Sequence, residues 1–346
     1  RAHARRRARP RPPRRVLRWT VAVLALLLAA TGGTYAWAET TLNRGVDLAP
    51  AGTDAAAGTT LPTGVGTNYL IVGSDSREGL SESEVDELRA GGGGGRRADS
   101  LFLLHTGRHG AVLLGLPRDS WVTIPGHHDP ATGKRVPPER DKLNASFAYG
   151  GPRLLARTVE HNTGLRIDHY AEIGFAGFVR VVDAVGGVPM CLDRDIRDEK
   201  SGADLRRGCR TLDGRQSLAF VRQRHQETAG DLGRSRNQQR FLSALAGRVT
   251  EPGNALDPSR LYPALGAGLD SLVVDRGMNL RKLAGMFRSV RGADGDRGAR
   301  RLTVPVDAVG LATPKGNVVR WDADRAALLF RQLREDRVVT VAGGRG

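Results

Sequence analysis

Apolar and polar positions divide this chain unevenly. Residues 19–38 run for twenty positions without a charged side chain, built around Val21–Ala30. About twenty apolar residues span a bilayer core, so this stretch predicts a transmembrane helix. Trp19 lies at one edge and Tyr35 and Trp37 at the other, where amphipathic aromatics favour the headgroup level. Residues 1–18 carry nine arginines and no acid, which predicts a basic cytoplasmic tail and places everything from Glu39 onward outside the membrane. The competing reading is a cleaved signal peptide with Ala36-Trp37-Ala38 as its cleavage site; the length of the uncharged run favours a retained anchor. Both readings export the rest.

Residues 39–66 are rich in Ala, Gly and Thr without a period and read as a linker. The pattern then changes. Asn68–Gly73 is a strand, and Ser81–Ala90 a short helix with Ser81 and Glu84 at capping-box spacing. Gly91–Gly95 reads as a flexible tether, and Ser100–Leu104 and Ala111–Leu116 as a hairpin turning through residues 106–110. Pro152 opens a helix that runs to about His161 and stops near Gly164. Tyr170–Ile173 and Val188–Leu192 are strands around a helix at Phe175–Val185. Helices start at Asp213 and at Asp231 or a neighbour, with two more after residue 250. Strands at Leu302–Val306 and near Val318–Trp321 precede a last helix from Asp322. This alternation predicts one α/β domain over residues 67–340, an α-β-α sandwich with a central mixed sheet.

Composition narrows the function. The formal net charge is +16, but nine of those charges precede residue 19. The remainder, with only 8 Phe, 5 Tyr and 4 Trp, shows no basic-aromatic platform, which argues against nucleic acid as a partner. Two cysteines exclude a disulfide-dense scaffold and a four-thiolate zinc site. Export suits a bridge between Cys191 and Cys209; two buried free thiols are the alternative. Gly133-Lys134 lacks P-loop spacing, and no G-x-S-x-G elbow appears.

Three clusters could carry chemistry. Asp75 follows the first strand, Arg97 and Asp99 open the second, and Pro117-Arg118-Asp119 close the third. If these strands pair antiparallel in order, the three sites meet at one sheet edge. Neighbouring carboxylates repel unless a cation lies between them, and arginines repel unless an anion does. Mg²⁺ with a phosphate or pyrophosphate answers both; a surface network of Arg–Asp pairs is the rival reading. Arg222 and Arg224 could present two guanidiniums together only on extended chain beyond the helix from Asp213. Asp231, Arg234 and Gln238 share one helix face, continued by Phe241 and Leu245, which would suit a ligand with a charged head and a hydrocarbon chain.

These residues, taken in order, carry a family resemblance. Gly73-Ser74-Asp75-Ser76-Arg77, Arg97-Ala98-Asp99-Ser100 and Pro117-Arg118-Asp119 resemble the LytR–CpsA–Psr family. So do Lys142-Leu143-Asn144-Ala145, Tyr149-Gly150-Gly151, Val185-Gly186-Gly187-Val188, Leu212-Asp213-Gly214, Arg222-Gln223-Arg224 and Asp231-Leu232-Gly233-Arg234 with Gln238-Gln239. The resemblance covers residues 68–248 closely and the tail to about 340 more loosely. It implies a single-pass membrane phosphotransferase with its catalytic domain outside the cell. Such an enzyme moves a phosphoglycan (teichoic acid-like, capsular or another secondary cell-wall polymer) from a polyprenyl-pyrophosphate carrier to peptidoglycan. It implies Mg²⁺ on Asp75 and Asp99. It implies a catalytic set of Asp75, Asp99, Arg118, Arg222, Arg224 and Asp231, with Arg77, Arg97, Lys142, Arg234 and Gln238 binding substrate. Asp75, Asp99 or Asp231 could serve as general base. A polyprenyl-pyrophosphate pyrophosphatase and a non-catalytic lipid- or glycan-binding membrane protein are the alternatives.

Overall fold

The computed structural model describes residues 29, 31–48, 64–91, 96–223, 230–251, 266, 268–292 and 300–341. The chain divides into two compact units, Arg1–Thr41 and Leu42–Gly346. In the first, residues 31–41 are helical, and the Thr40 and Thr41 hydroxyls donate to the Trp37 carbonyl at 2.8 and 2.9 Å. Among the described residues no helix is long and apolar enough to cross a membrane; positions 19–28 and 30 of the predicted span lie outside them.

The second unit is built on a seven-stranded sheet. Its strands are β1 (Asn43–Val46), β2 (Thr67–Ser74), β3 (Ala98–Gly107), β4 (Gly110–Gly115), β5 (His169–Ile173), β6 (Leu272–Asp275) and β7 (Arg300–Thr303), in the spatial order β1-β6-β5-β2-β3-β4-β7. β2–β3, β3–β4 and β5–β6 pair antiparallel, while β2–β5, β1–β6 and β4–β7 pair parallel. The sheet is therefore mixed, as expected. The β3–β4 connection is a two-residue turn, with Gly107 opposite Gly110 and Gly110 at φ 100°. β1 lies inside the stretch read as linker; at four residues with two polar positions it leaves no periodic trace.

Helices cover both faces. α1 (Glu82–Glu87) has the expected capping box, with Ser81 and Glu84 bonded reciprocally. α2 (Leu143–Thr163) breaks at Gly150 and Gly151, the latter at φ 65°, just before Pro152. The predicted helix thus starts at the proline, but seven helical residues precede it. α3 (Phe175–Ala184), α4 (Gly214–Arg222), α5 (Gly230–Val249), α6 (Leu280–Gly292) and α7 (Ala323–Arg334) follow along the chain. Asp213 and Asp322 cap α4 and α7 by accepting backbone N–H bonds, as their positions predicted. The single strand expected at Leu302–Val306 is two elements. Pro305 has no N–H to continue the ladder of β7, and Val306 begins a separate hairpin with Gly316–Trp321.

One face of the sheet packs Leu70, Val72, Leu101, Leu103, Val112 and Leu114 against Phe147, Leu155 and Val159 of α2 and Leu329, Phe330 and Leu333 of α7. On the other side α5 and α6 pack over β3 and β4. A second apolar cluster joins Val188, Met190 and Leu212 to Phe220, Phe241 and Leu245. There Cys191 and Cys209 sit directly opposite on paired strands and form the expected disulfide.

Candidate active site

The end of β2, the start of β3 and the end of β4 meet at one edge of the sheet, because the two antiparallel pairings run in sequence order. Asp75 is fixed twice by Arg97: its N–H donates to the Arg97 carbonyl at 3.0 Å, and its Oδ1 accepts the Arg97 N–H at 2.6 Å. Burial raises the Asp75 pKa; the Arg97 N–H opposes that, the Asp99 charge reinforces it, and the Arg97 and Arg77 charges lower it. Asp99 forms an ion pair with Arg118, whose Nε lies 3.4 Å from Asp119. Asp119 in turn lies 3.0 Å from Lys142 Nζ. From α5, Arg234 donates to the Asp99 carbonyl at 2.5 Å. Asp75, Arg97, Asp99, Arg118 and Asp119 thus meet at one sheet edge, as the strand order predicted, and Lys142 and Arg234 join them there.

The remaining expected residues stand differently. Arg222 is the last residue of α4 rather than the first beyond it, and Gln223 turns the chain to extended geometry (φ −59°, ψ 143°). The Arg222 guanidinium donates to the Leu88 and Arg89 carbonyls at 2.8 and 3.0 Å and stacks 4.7 Å over Phe175. Gln238 Nε2 donates to the Val221 carbonyl at 2.8 Å, tying α5 to the end of α4. Arg224 and the side chain of Asp231 lie outside the described part of the molecule.

Behind this edge opens a cavity of about 1210 Å³. Ser74, Asp99, Ser100, Arg222, Arg234 and Gln238 line its polar end, and Phe241, Leu245, Leu269, Leu283, Met286 and Phe287 line its apolar depth. Ile71, Gly73, Phe102, Ala171 and Ile173 of the sheet form its floor. The face of α5 that runs from Arg234 and Gln238 to Phe241 and Leu245 is one wall, so its polar head and apolar tail face the same space. Ser74 is 2% exposed, and its hydroxyl has no hydrogen-bond partner among the described residues. A buried hydroxyl left unpaired at the polar end of a cavity is suited to a polar ligand group.

The chain matches the model of the LytR_cpsA_psr family over residues 58–326. It belongs to that family. It is 40% identical over 332 residues to the Corynebacterium glutamicum protein named "Probable cell wall biosynthesis protein LcpB", across 95% of this chain and 74% of that protein. It is 31% identical over 182 residues to polyisoprenyl-teichoic acid–peptidoglycan teichoic acid transferase TagU of Enterococcus faecalis, across 52% of this chain and 55% of TagU. The chain thus spans about half the length of TagU. A LytR-Csp2A-Psr enzyme from Actinomyces oris has the same fold, with a TM-score of 0.59 at 22% identity over 80% of this chain and 92% of that one. The resemblance read from the motifs is borne out.

Within this LytR_cpsA_psr fold, sequence reasoning missed two features. Ser74 stood inside the Gly73–Arg77 motif, the one signal that could have marked it. Arg96 went unread. Its Nη2 pairs at 2.6 Å with Glu172, a carboxylate 1% exposed that also accepts the Tyr170 hydroxyl at 2.8 Å. Its guanidinium lies 5.5 Å from the Phe147 ring centroid. This pair, with Glu172 buried and Arg96 half exposed, anchors the chain one residue before Arg97, and so helps to hold the backbone that grips Asp75. No local pattern announces it, because Arg96 and Glu172 are far apart in sequence.

Asp75 and Asp99 are two carboxylates whose charges act on each other. Among the described residues no group of three or more His, Cys, Asp or Glu collects. Such a donor set suits a hard cation that completes its shell with phosphate oxygens and water, as Mg²⁺ commonly does.

Proposed function

We propose that this chain is a glycopolymer phosphotransferase, moving a phosphate-linked glycan from a polyprenyl-pyrophosphate carrier onto a peptidoglycan hydroxyl. The observation that carries this reading is the cavity: Asp99, Arg222, Arg234 and Gln238 line one end, next to the Asp75–Arg97 and Asp99–Arg118 contacts, and Phe241, Leu245, Leu283, Met286 and Phe287 line an apolar stretch beyond them. A charged head on a long apolar chain fits that gradient. Its position outside the membrane, tethered through residues 19–38, follows from the arginine-rich tail and the uncharged run.

In the proposed reaction the acceptor hydroxyl oxygen attacks the phosphorus that bears the glycan. The bond from that phosphorus to the bridging oxygen breaks, and polyprenyl phosphate leaves. The hydroxyl proton passes to a carboxylate: Asp75 or Asp99 at the sheet edge, or Asp231, whose side chain lies outside the described part of the molecule. Asp75 and Asp99 would hold Mg²⁺, which supplies positive charge to the phosphoryl oxygens when bound. Arg118, Arg234 and Arg222 neutralise charge on the transferring and leaving phosphates. Transfers of this kind depend chiefly on such positioning and charge stabilisation. Phe241, Leu245 and their neighbours hold the lipid and keep the head at the mouth.

The test is reconstitution of the full chain with a synthetic polyprenyl-pyrophosphate saccharide, peptidoglycan and Mg²⁺. The expected products are peptidoglycan carrying the saccharide through a phosphodiester and free polyprenyl phosphate, both abolished by excess chelator. Equal lipid release without acceptor would make the protein a pyrophosphatase, and binding without turnover would make it a receptor.

A further inference from the structure

A short hairpin leaves the mouth on the side away from the cavity. Its strands, Trp121–Ile124 and Glu139–Lys142, pair Trp121 with Lys142, Val122 with Asp141, Thr123 with Arg140 and Ile124 with Glu139. Directly opposed residues share a face, and the faces alternate along each strand. Val122, Ile124 and Asp141 are buried, so Trp121, Thr123, Arg140 and Lys142 form the outer row. Lys142 starts that row beside the reaction centre, 3.0 Å from the Asp119 carboxylate that flanks Arg118. Arg140 lies 5.5 Å from the Trp121 ring centroid and donates to the Trp121 carbonyl at 3.1 Å, which fixes the two side chains together.

The acid on this hairpin is already compensated. Lys315, from the tip of the neighbouring hairpin, lies 2.9 Å from Asp141 and 3.2 Å from Glu139. Trp321 Nε1 donates to the Ser120 hydroxyl at 2.8 Å and locks that second hairpin in place. The outer row therefore offers an indole fixed beside the Arg140 guanidinium, with Lys142, paired to Asp119, at its inner end.

We propose that this row docks the acceptor, a polysaccharide strand bearing carboxylate substituents, with sugar rings on Trp121 and carboxylates toward Arg140 and Lys142. The inference rests on the proposed transferase reading. In-line displacement at phosphorus requires the nucleophile to approach opposite the leaving group. On that reading the lipid phosphate leaves toward the cavity on the α5–α6 side of the sheet, whereas the hairpin packs on α2, the opposite layer. A polymeric acceptor also needs a surface that continues away from the centre, and this row does so from Lys142 outward. An indole offers a flat apolar face of the kind that the C–H face of a sugar covers.

The test uses the full chain in detergent with soluble peptidoglycan oligomers, and measures both their equilibrium binding and the kinetics of transfer. Trp121→Ala should weaken oligomer binding and raise the acceptor KM on the order of 10-fold. Its kcat at saturating acceptor, its donor affinity and its Tm should stay at parental values, and Trp121→Phe should recover most of the acceptor affinity. Unchanged acceptor binding in Trp121→Ala, or loss of donor affinity in step with acceptor affinity, would overturn the docking row. If the parent binds oligomers through Trp121 yet transfers nothing to them, the row stands and the transferase reading fails.

Discussion

Leu70 and Val72 on β2 are wholly buried beneath α2, whereas Ile71 between them, in the middle of a seven-stranded sheet, is only half-buried. The difference lies in what each face meets. On the α2–α7 face the sheet side chains are closed over by Phe147, Leu155 and Phe330. On the other face α5 and α6 cover β3 and β4 and bury Leu104 and Leu113, while Ile71, Phe102 and Ile173 line the cavity. An empty apolar space forfeits dispersion contacts that a packed core would make, so this face is less stable than it could be. A strand that alternates side chains can therefore serve stability with one set and substrate with the other.

The widest gap between the two faces is expected at the mouth. Asp75→Asn should lower transfer on the order of 10²–10³-fold, comparable to losing a preorganised charge contact. Its stability should move the other way. Burial raises the Asp75 pKa, so ionising the group costs the folded state, and that cost appears as pH rises through the window above the ordinary value of about 3.9. The variant should then melt no lower than the parent at pH 7, and the two should converge below that window. A melting loss that accompanies the lost activity would make Asp75 a structural residue.

On the faces themselves, Leu70→Ala should cost about 2–5 kcal/mol in denaturant unfolding, as a fully buried truncation does. Ile71→Ala should cost about 1 kcal/mol or less, since it already faces open space, yet it should weaken donor binding more than Leu70→Ala. Equal costs at the two positions would erase the distinction. Removing the Cys191–Cys209 bridge as a double serine variant should cost about 3 kcal/mol, for a separation of 18 residues in the loop-entropy picture. Because that bridge staples the hairpin around Met190 and Leu212 and not the sheet, its loss should leave Leu70→Ala and Ile71→Ala as far apart as before.

Local chemistry was legible in the sequence and remote packing was not. Ser81 with Glu84, Asp213 and Asp322 announced helix starts because an N-cap is a contact three residues long. The meeting of Asp75, Arg97, Asp99 and Arg118 was legible because successive antiparallel strands return to the same edge. The polar-to-apolar face of α5 was legible from helical spacing, but the cavity it borders was not, since Ile71 and Leu70 are equally apolar side by side in the chain. The helical turns before Gly150 carry no start signal of their own, since Lys142 makes no side-chain cap and Gly150-Gly151-Pro152 marks a start only for the turns C-terminal to it. Arg222 was expected on extended chain beyond α4, but it closes that helix and is held from outside it. The carbonyls of Leu88 and Arg89 that its guanidinium meets are 134 and 133 residues away, beyond the reach of any local rule.

Most directly decisive is the affinity of the full chain for polyprenyl monophosphate, measured for the parent and for Ile71→Trp. The indole would fill the floor of the cavity without touching Asp75, Asp99, Arg118 or Arg234. If the cavity seats the lipid, Ile71→Trp should lose binding at least 10-fold, close to one unit of 1.4 kcal/mol or more, with its Tm preserved. Parental affinity in a folded Ile71→Trp protein would mean that the lipid lies elsewhere and that the two faces of the sheet do not divide stability from function.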